Sequence, residues 1–253
     1  MSLMQRFPRL FKSMKLHIIT CDAFRGWFPS ADHPYRTFFS RVRPALSFEV
    51  HDAVDGVLPA QLIPGDIYLI GGSRRGVYEK EPWIERLLDW IRDAHEQGAL
   101  LAGICFGHQA LCHALGGRVE RVPKQWIGVR RSSVVDPRLR SRIAALGEQA
   151  DAGHLTLLYH HHDQAVRLPP AARVLASSRF CPCEAFALGD TVIGFQGHPE
   201  FTVGLLRFLL GQPAADFSES QKSRALAGLD ACGATEYLAD SFAAAEMILG
   251  LAR

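Results

Sequence analysis

The sequence has no long hydrophobic run, and this sets the first limits on the protein. No apolar stretch approaches the roughly 20 residues that a helix needs to span a bilayer. Basic residues interrupt the apolar ones near the start, where a secretory signal needs an uncharged core of about 7–15 residues. The sequence also lacks an excess of charge of one sign, because 28 Lys and Arg are balanced by 26 Asp and Glu, which leaves a formal net charge of +2. This balance predicts neither nucleic-acid binding nor membrane binding.

Cysteine is sparse too. Six cysteines without regular spacing in 253 residues do not make a disulfide framework, which predicts a reducing, cytoplasmic setting. Cys181 and Cys183 lack the further ligands of a structural zinc site. A phosphate-binding Gly-x-x-x-x-Gly-Lys-Ser/Thr sequence is absent, so we expect no ATP-dependent synthetase on this chain. What is present, a hydrophobic fraction of 48% with 21% charged residues, is typical of a globular α/β domain.

Strand-like and helix-like segments alternate over the first half of the chain. The predicted strands cover residues 15–20, 45–50, 66–70 and 100–104, and the predicted helices cover 37–43, 82–96 and a segment that begins after Cys105. This alternation implies a parallel sheet with helices on both faces, where ligands bind beyond the carboxyl ends of the strands. The later segments predict antiparallel strands as an insertion or side layer at about 116–178, a hairpin at 185–196, a helix at 202–210 and Ala-rich helices at about 218–251.

One thiol stands at the end of a predicted strand. Cys105 has Gly103 and Gly107 at ±2, and a helical pattern starts directly after it. This is the thiol version of a nucleophile elbow, in which a tight turn holds the nucleophile clear of the backbone. The N–H groups at the start of the helix would favour thiolate over thiol. The alternative is a cysteine that only packs in the core. Because Gly71 and Gly72 also end a strand, we favour catalysis.

A thiol nucleophile needs a base, and the base needs a group that orients it. His198 and Glu200, separated by a proline, could project from one strand end toward the same region. Acyl transfer also needs two donors for the developing oxyanion. The N–H groups of Gly72 and of Phe106, the residue after the nucleophile, are the candidates.

A cluster of histidines competes for a functional role. His160, His161, His162 and Asp163 could bind a metal ion, but adjacent side chains on an extended segment point to alternate faces, so at most two could share one ion. Only His108 of the elbow offers a further ligand. We therefore favour a loop that lines a pocket, without a metal.

Three motifs together resemble those of class I, or triad, glutamine amidotransferase domains. They are GGS at 71–73, GICFGHQ at 103–109 and GHPEF at 197–201. The resemblance is to the stand-alone branch similar to the glutaminase domain of GMP synthase, and it covers about residues 15–212. Supporting segments lie at 77–78, 82–84, 115–117, 126–129, 161–164 and 181–182.

The resemblance implies a flavodoxin-like α/β fold. This is a three-layer sandwich with a mostly parallel central sheet and a small antiparallel side layer. Residues 1–253 would form a single domain, with the core at about 15–212 and a C-terminal helical extension at 213–253.

The resemblance also implies roles for single residues. The triad would be Cys105, His198 and Glu200, with oxyanion donors at Gly72 and Phe106. The implied substrate contacts are Gln109 for the glutamyl group, His161, His162 and Asp163 for its amino-acid end, and Ser73. No metal and no organic cofactor is expected.

We therefore expect a glutamine amidotransferase-like hydrolase. It would cleave a γ-glutamyl amide through a thioester on Cys105 and release ammonia for a separate acceptor or synthetase subunit. The alternative is a stand-alone γ-glutamyl peptidase or hydrolase, and a less favoured one is a non-catalytic binding protein on the same fold. The expected ligand is glutamine or a γ-glutamyl small molecule. Arg74 and Arg75 stand where the family often has Pro, and they would either attract an anionic substrate tail or form solvated surface.

Overall fold

The computed structural model describes residues 14–22, 28–145, 151–212, 217–232 and 236–252, with the backbone alone at 123–125 and 236. Within these residues, the strands form one sheet in the order β2-β1-β3-β4-β9-β8-β7-β5-β6. The strands are β1 (Lys15–Thr20), β2 (Ser47–Asp52), β3 (Ile67–Ile70), β4 (Leu100–Ile104), β5 (Arg118–Val134), β6 (His154–Arg167), β7 (Arg173–Ser177), β8 (Ala185–Leu188) and β9 (Val192–Phe195).

The sheet has a parallel half and an antiparallel half. Strands β2, β1, β3, β4 and β9 are joined by parallel pairings. From β9 onward, β8, β7, β5 and β6 are joined by antiparallel pairings. The predicted α/β class with a parallel central sheet is confirmed. The antiparallel strands continue the same sheet, because β5 pairs with β7 at its far end.

Helices pack on both faces of the sheet. They are α1 (His33–Val42), α2 (Pro82–Glu96), α3 (Phe106–Ala114), α4 (Pro137–Ala144), α5 (Val203–Leu210), α6 (Glu219–Ala231) and α7 (Glu236–Leu249). Neighbouring residues of β1 show the layering, since Ile18 packs in a core with α1, α4 and α7, whereas Ile19 packs in a second core with α2 and α3. This period of two is that of a strand buried on both faces. None of the helices in the described ranges combines the length and the hydropathy that crossing a bilayer requires.

The largest difference from the sequence prediction concerns the histidine cluster. Residues 160–164 were expected in a loop, and this prediction is wrong, because they lie within β6, where His160 pairs with Ile127 and His161 with Trp126. A strand that alternates buried side chains with pocket-facing polar ones does not show a simple apolar pattern. Helix α1 begins at His33, before the predicted residue 37, since Pro34 is tolerated in a first helical turn.

Candidate active site

Cys105 occupies the turn between β4 and α3. Its backbone has φ 55° and ψ −106°, a conformation that residues other than glycine rarely adopt. The neighbouring glycines make this turn possible. A Cβ on Gly107 would lie 2.0 Å from the Ile70 carbonyl oxygen, and one on Gly103 would lie 2.4 Å from the Gly107 carbonyl carbon. The elbow predicted here is therefore present, and close backbone packing explains both glycines.

Hydrogen bonds fix this turn to the strand ends on either side. The Cys105 N–H donates to the Phe195 carbonyl at 2.9 Å, and the Gly107 N–H donates to the Gly71 carbonyl at 3.1 Å. The Phe106 N–H, first in the helix, has no acceptor among the described residues. One donor at the helix N-terminus is thus left for a ligand next to Cys105.

His198 and Glu200 follow β9 and form a buried pair. His198 Nδ1 lies 2.7 Å from Glu200 Oε1, and the His198 ring stacks on Phe201 at 3.8 Å between ring centroids. The His198 N–H donates to the Leu158 carbonyl at 2.8 Å, which ties this segment to β6. Among the described residues, His198 Nε2 and Glu200 Oε2 have no hydrogen-bond partner. The carboxylate therefore fixes one ring nitrogen and leaves the other for chemistry.

The charge state of His198 follows from its neighbours. Burial alone would lower the pKa of His198, but the Glu200 carboxylate and the Cys105 side chain raise it to about 10. The imidazole is therefore protonated at neutral pH.

Gly72 sits beside the side chains of Cys105 and His198. A Cβ built on it would lie 3.4 Å from His198 Cε1 and 3.9 Å from Cys105 Cβ, so a side chain at this position would fill the space between them. The Gly72 N–H, expected to be an oxyanion donor, donates to the Tyr35 hydroxyl at 2.7 Å. It is thus already engaged by a residue that no sequence motif indicated.

The predicted substrate-binding side chains form a network along β6. Gln109 Nε2 donates to the Asp163 carbonyl at 2.8 Å and to Gln196 Oε1 at 3.0 Å. His161 Nδ1 lies 3.0 Å from the same Asp163 carbonyl, and the Tyr78 hydroxyl donates to Asp163 Oδ1 at 3.0 Å. Burial raises the pKa of Asp163. This network holds the pocket wall in place.

A cavity of about 220 Å³ brings the predicted residues together. It is lined by Gly72, Ser73, Cys105, Gln109, His161, His162, Asp163, His198 and Glu200. Of the predicted site residues, only Phe106 lies outside its wall, and the role proposed for Phe106 is that of its backbone N–H. The rest of the wall includes the apolar side chains of Phe201, Leu209 and Phe217 and the ring of Tyr35. Phe217 stacks on His162, with 5.0 Å between the ring centroids. Because Phe217 lies outside the sequence motifs, the sequence did not predict its place in the cavity.

The two arginines at the cavity are paired with acidic residues. Arg74 forms two side-chain hydrogen bonds to Asp22, both 2.8 Å long. Arg75 lies 3.1 Å from Glu79 and 3.5 Å from Glu81. Their charges are therefore largely compensated within the protein.

A possible metal-ligand group lies elsewhere. In the described part of the chain, His17, Glu49 and His51 are the side chains close enough to share an ion, while residues 160–163 do not form such a group. Lys15 Nζ lies 2.7 Å from Glu49 Oε2 and already neutralises that carboxylate. His108 packs edge-on against Phe186 at 5.0 Å, and burial lowers its pKa to about 4.

Several known proteins are similar to this chain in sequence or in fold. γ-Glutamyl peptidase 3 of Arabidopsis thaliana is 29% identical over 205 residues, which cover 77% of this chain and 79% of that protein. The glutamine-hydrolyzing GMP synthase of Chromobacterium violaceum is 30% identical over 171 residues, 64% of this chain and 30% of that protein. A solved glutamine amidotransferase structure from Thermotoga maritima has the same fold, with a TM-score of 0.73 at 17% identity over 95% of this chain and 99% of that one.

The family model described as glutamine amidotransferase class-I matches residues 64–207, which is more than half of the chain. The matched segment contains the elbow, the His198–Glu200 pair and the strands that position them. The chain belongs to the class I glutamine amidotransferase family.

Proposed function

We propose that the protein hydrolyses γ-glutamyl amides with Cys105 as nucleophile, His198 as general acid and base, and Glu200 as the carboxylate that orients the imidazole. One observation carries this proposal: the strained Cys105 elbow and the buried His198–Glu200 pair line the same cavity. A packing cysteine requires neither the strained turn nor a charged pair beside it.

The first half of the reaction forms a thioester. An electron pair of the Cys105 thiolate forms a bond to the γ-carbonyl carbon, and the carbonyl π electrons move to oxygen. The oxyanion then collapses and breaks the bond between carbon and nitrogen, and the imidazolium of His198 gives its proton to the departing amine. The pKa of His198, raised to about 10, keeps this proton available at neutral pH.

The second half returns the enzyme to its starting state. Neutral His198 takes a proton from water, the hydroxide attacks the thioester carbon, and the second oxyanion expels the Cys105 thiolate. Glutamate leaves, and His198 is again protonated. The Glu200 hydrogen bond to Nδ1 keeps the reacting Nε2 in place through both halves.

We further propose that the leaving group is an amine larger than ammonia, so that the substrate is a γ-glutamyl peptide or a related amide. Two features support this preference. Phe201, Leu209 and Phe217 give the cavity an apolar wall that ammonia would not use. Several similar proteins are named γ-glutamyl peptidases.

The second candidate is a glutaminase that delivers ammonia to a separate synthetase subunit. The family match and the similarity to a GMP synthase favour it. We place either enzyme in the cytoplasm, because all six cysteines are free thiols and a reducing compartment keeps them so.

Cys105→Ala tests the proposed chemistry. We expect the variant to release no amine from γ-glutamyl dipeptides, whereas Cys112→Ala, which removes another buried thiol of the same helix, keeps the wild-type rate. Equal activity of the wild type and Cys105→Ala toward every γ-glutamyl compound would contradict the catalytic role.

Comparing kcat/KM for glutamine with that for γ-glutamyl dipeptides carrying an apolar second residue separates the two candidates. We expect the dipeptides to be preferred. A preference for glutamine would favour the ammonia-delivering enzyme.

A further inference from the structure

Tyr35 reaches the reacting groups from a distant part of the chain. It lies in the first turns of α1, and its ring is buried in the core with Phe38 and Phe39. Its hydroxyl accepts the Gly72 N–H at 2.7 Å. The space next to Gly72, where a Cβ would be, lies 3.6 Å from this hydroxyl and 3.9 Å from Cys105 Cβ. The phenol oxygen therefore borders the gap beside the nucleophile.

The strand end is shaped to receive this ring. A Cβ on Gly71 would lie 2.8 Å from the Tyr35 hydroxyl oxygen and 3.0 Å from Cζ, so only glycine fits there. Close packing on the Gly71 side and in the core fixes the ring. Tyr35 is thus a fixed part of the site.

The phenol keeps a proton to donate. Burial, and then the negative charge of Glu200, raise the pKa of Tyr35 well above its ordinary value. The hydroxyl oxygen already accepts from Gly72, and none of the described residues accepts the phenol proton. A hydroxyl that accepts a backbone hydrogen bond is also polarised toward donating one of its own.

We infer that the Tyr35 hydroxyl, held by the Gly72 N–H, is an oxyanion donor of this enzyme and acts together with the Phe106 N–H. It donates a hydrogen bond to the substrate oxygen as Cys105 adds to the carbonyl, and it keeps its proton throughout. This inference rests on the proposed function. It replaces the direct Gly72 contact expected from the sequence by a contact through the tyrosine, and it explains why Gly71 must lack a side chain.

Tyr35→Phe tests this role, and Tyr68→Phe is a matched control. The Tyr68 hydroxyl is also inside the protein and accepts a backbone N–H, that of Ile63, at 2.7 Å, but it does not line the cavity. With a γ-glutamyl dipeptide as probe, we expect Tyr35→Phe to lower kcat by about 10²–10³-fold with little change in KM. Tyr68→Phe should leave kcat unchanged.

The rate of Cys105 alkylation by iodoacetamide separates this role from a structural one. Alkylation needs the thiolate but develops no carbonyl oxyanion, so Tyr35→Phe should be alkylated at the wild-type rate. A fall in both rates would instead indicate that Tyr35 positions the nucleophile, and it would overturn the inference. A rise in kcat would overturn it as well, because it would mean that Tyr35 blocks the Gly72 N–H.

The outcomes also distinguish this inference from the proposed function. If the wild type is active and Tyr35→Phe has the same kcat, only the proposed role of Tyr35 is overturned. A wild type as inert as Cys105→Ala overturns both. Should Tyr35→Phe not fold, 3-fluorotyrosine at position 35 keeps the ring and makes the phenol a stronger donor. We then expect faster hydrolysis at an unchanged alkylation rate, and an unchanged hydrolysis rate would overturn the inference.

Discussion

Two buried histidine–carboxylate pairs lie toward opposite ends of the parallel strands. At the carboxyl end, His198 Nδ1 is 2.7 Å from Glu200. Toward the beginning of β1 and β3, His17 Nε2 is 3.3 Å from Asp66. Each end also has a tyrosine that accepts a backbone N–H at 2.7 Å. Each end of the parallel strands therefore has a histidine–carboxylate pair and a tyrosine hydroxyl that accepts a backbone N–H.

The two ends differ in how completely their polar atoms are paired. Both ring nitrogens of His17 have partners, since Nδ1 lies 3.0 Å from His51 Nε2. At the carboxyl end, His198 Nε2 and Glu200 Oε2 have no hydrogen-bond partner among the described residues, and a cavity opens beside them. Saturated pairs stabilise a fold, whereas pairs left incomplete beside a nucleophile are available to a substrate. A histidine–carboxylate pair alone therefore does not indicate a site; the candidate site also depends on Cys105 and the cavity beside it.

Removing each carboxylate charge is the sharpest test of this comparison. We expect Glu200→Gln to lower kcat for a γ-glutamyl dipeptide by about 10²–10⁴-fold, because the imidazole loses the anion that orients and charges it. Asp66→Asn, the same change at the opposite end, should leave kcat unchanged. Steady-state kinetics of the two purified variants measure the difference. Similar losses in both would mean that the two pairs are functionally equivalent.

The pH dependence tests the same pair more finely. The pKa of His198 is raised to about 10, so the protonated form required for thioester formation is lost as pH rises through that value. We expect kcat/KM to fall there. Glu200→Gln removes the carboxylate that raises the pKa and should move this fall to lower pH. Asp66→Asn should not move it. A fall at the same pH in Glu200→Gln would contradict the assigned cause.

The same shift affects stability with a defined sign. Because the folded-state pKa of His198 lies above its ordinary value of 6.5, its contribution to the free energy of unfolding is fully present below pH 6.5. The contribution is lost as pH rises through about 10. Urea unfolding at several pH values should show that Glu200→Gln weakens this dependence, because the variant lacks the carboxylate that raises the pKa but keeps the Cys105 side chain.

Local signals made much of the carboxyl end of the parallel strands predictable from the sequence. Helix α2 (Pro82–Glu96) follows from its apolar spacing and its first proline, and β4 (Leu100–Ile104) from a short apolar run. The family, the fold class and the class of a cysteine-dependent amide hydrolase are confirmed. The roles of Cys105, His198 and Glu200 remain predictions, although the structure brings these residues together.

What the sequence did not reveal depends on contacts between distant segments. Tyr35 meets Gly72 across 37 positions, and nothing in the aromatic-rich segment around it indicates that its hydroxyl reaches a strand end. Phe217 lies beyond the matched segment and enters the cavity only through its packing on β6. The sequence predicts a loop at the histidines of residues 160–162, because polar residues that face a pocket do not follow the apolar alternation of a strand.

Backbone strain is the last difference between the two ends, and its expected effect is the smallest. The φ of 55° at Cys105 costs any residue with a Cβ about 1–3 kcal/mol, which glycine avoids. Because Cys105→Gly and Cys105→Ala both remove the thiol, comparing them isolates the backbone. Glycine gains entropy in the unfolded chain, yet we expect Cys105→Gly to be more stable than Cys105→Ala by about 1 kcal/mol.

At Ala110, within the regular helix α3, the order should reverse, with Ala110→Gly less stable than the parent by about 1 kcal/mol. Urea unfolding of the variants measures both differences. Should alanine be the more stable residue at position 105 too, the elbow would store no strain, and the carboxyl end would differ from the opposite end only in its unpaired polar atoms and its cavity.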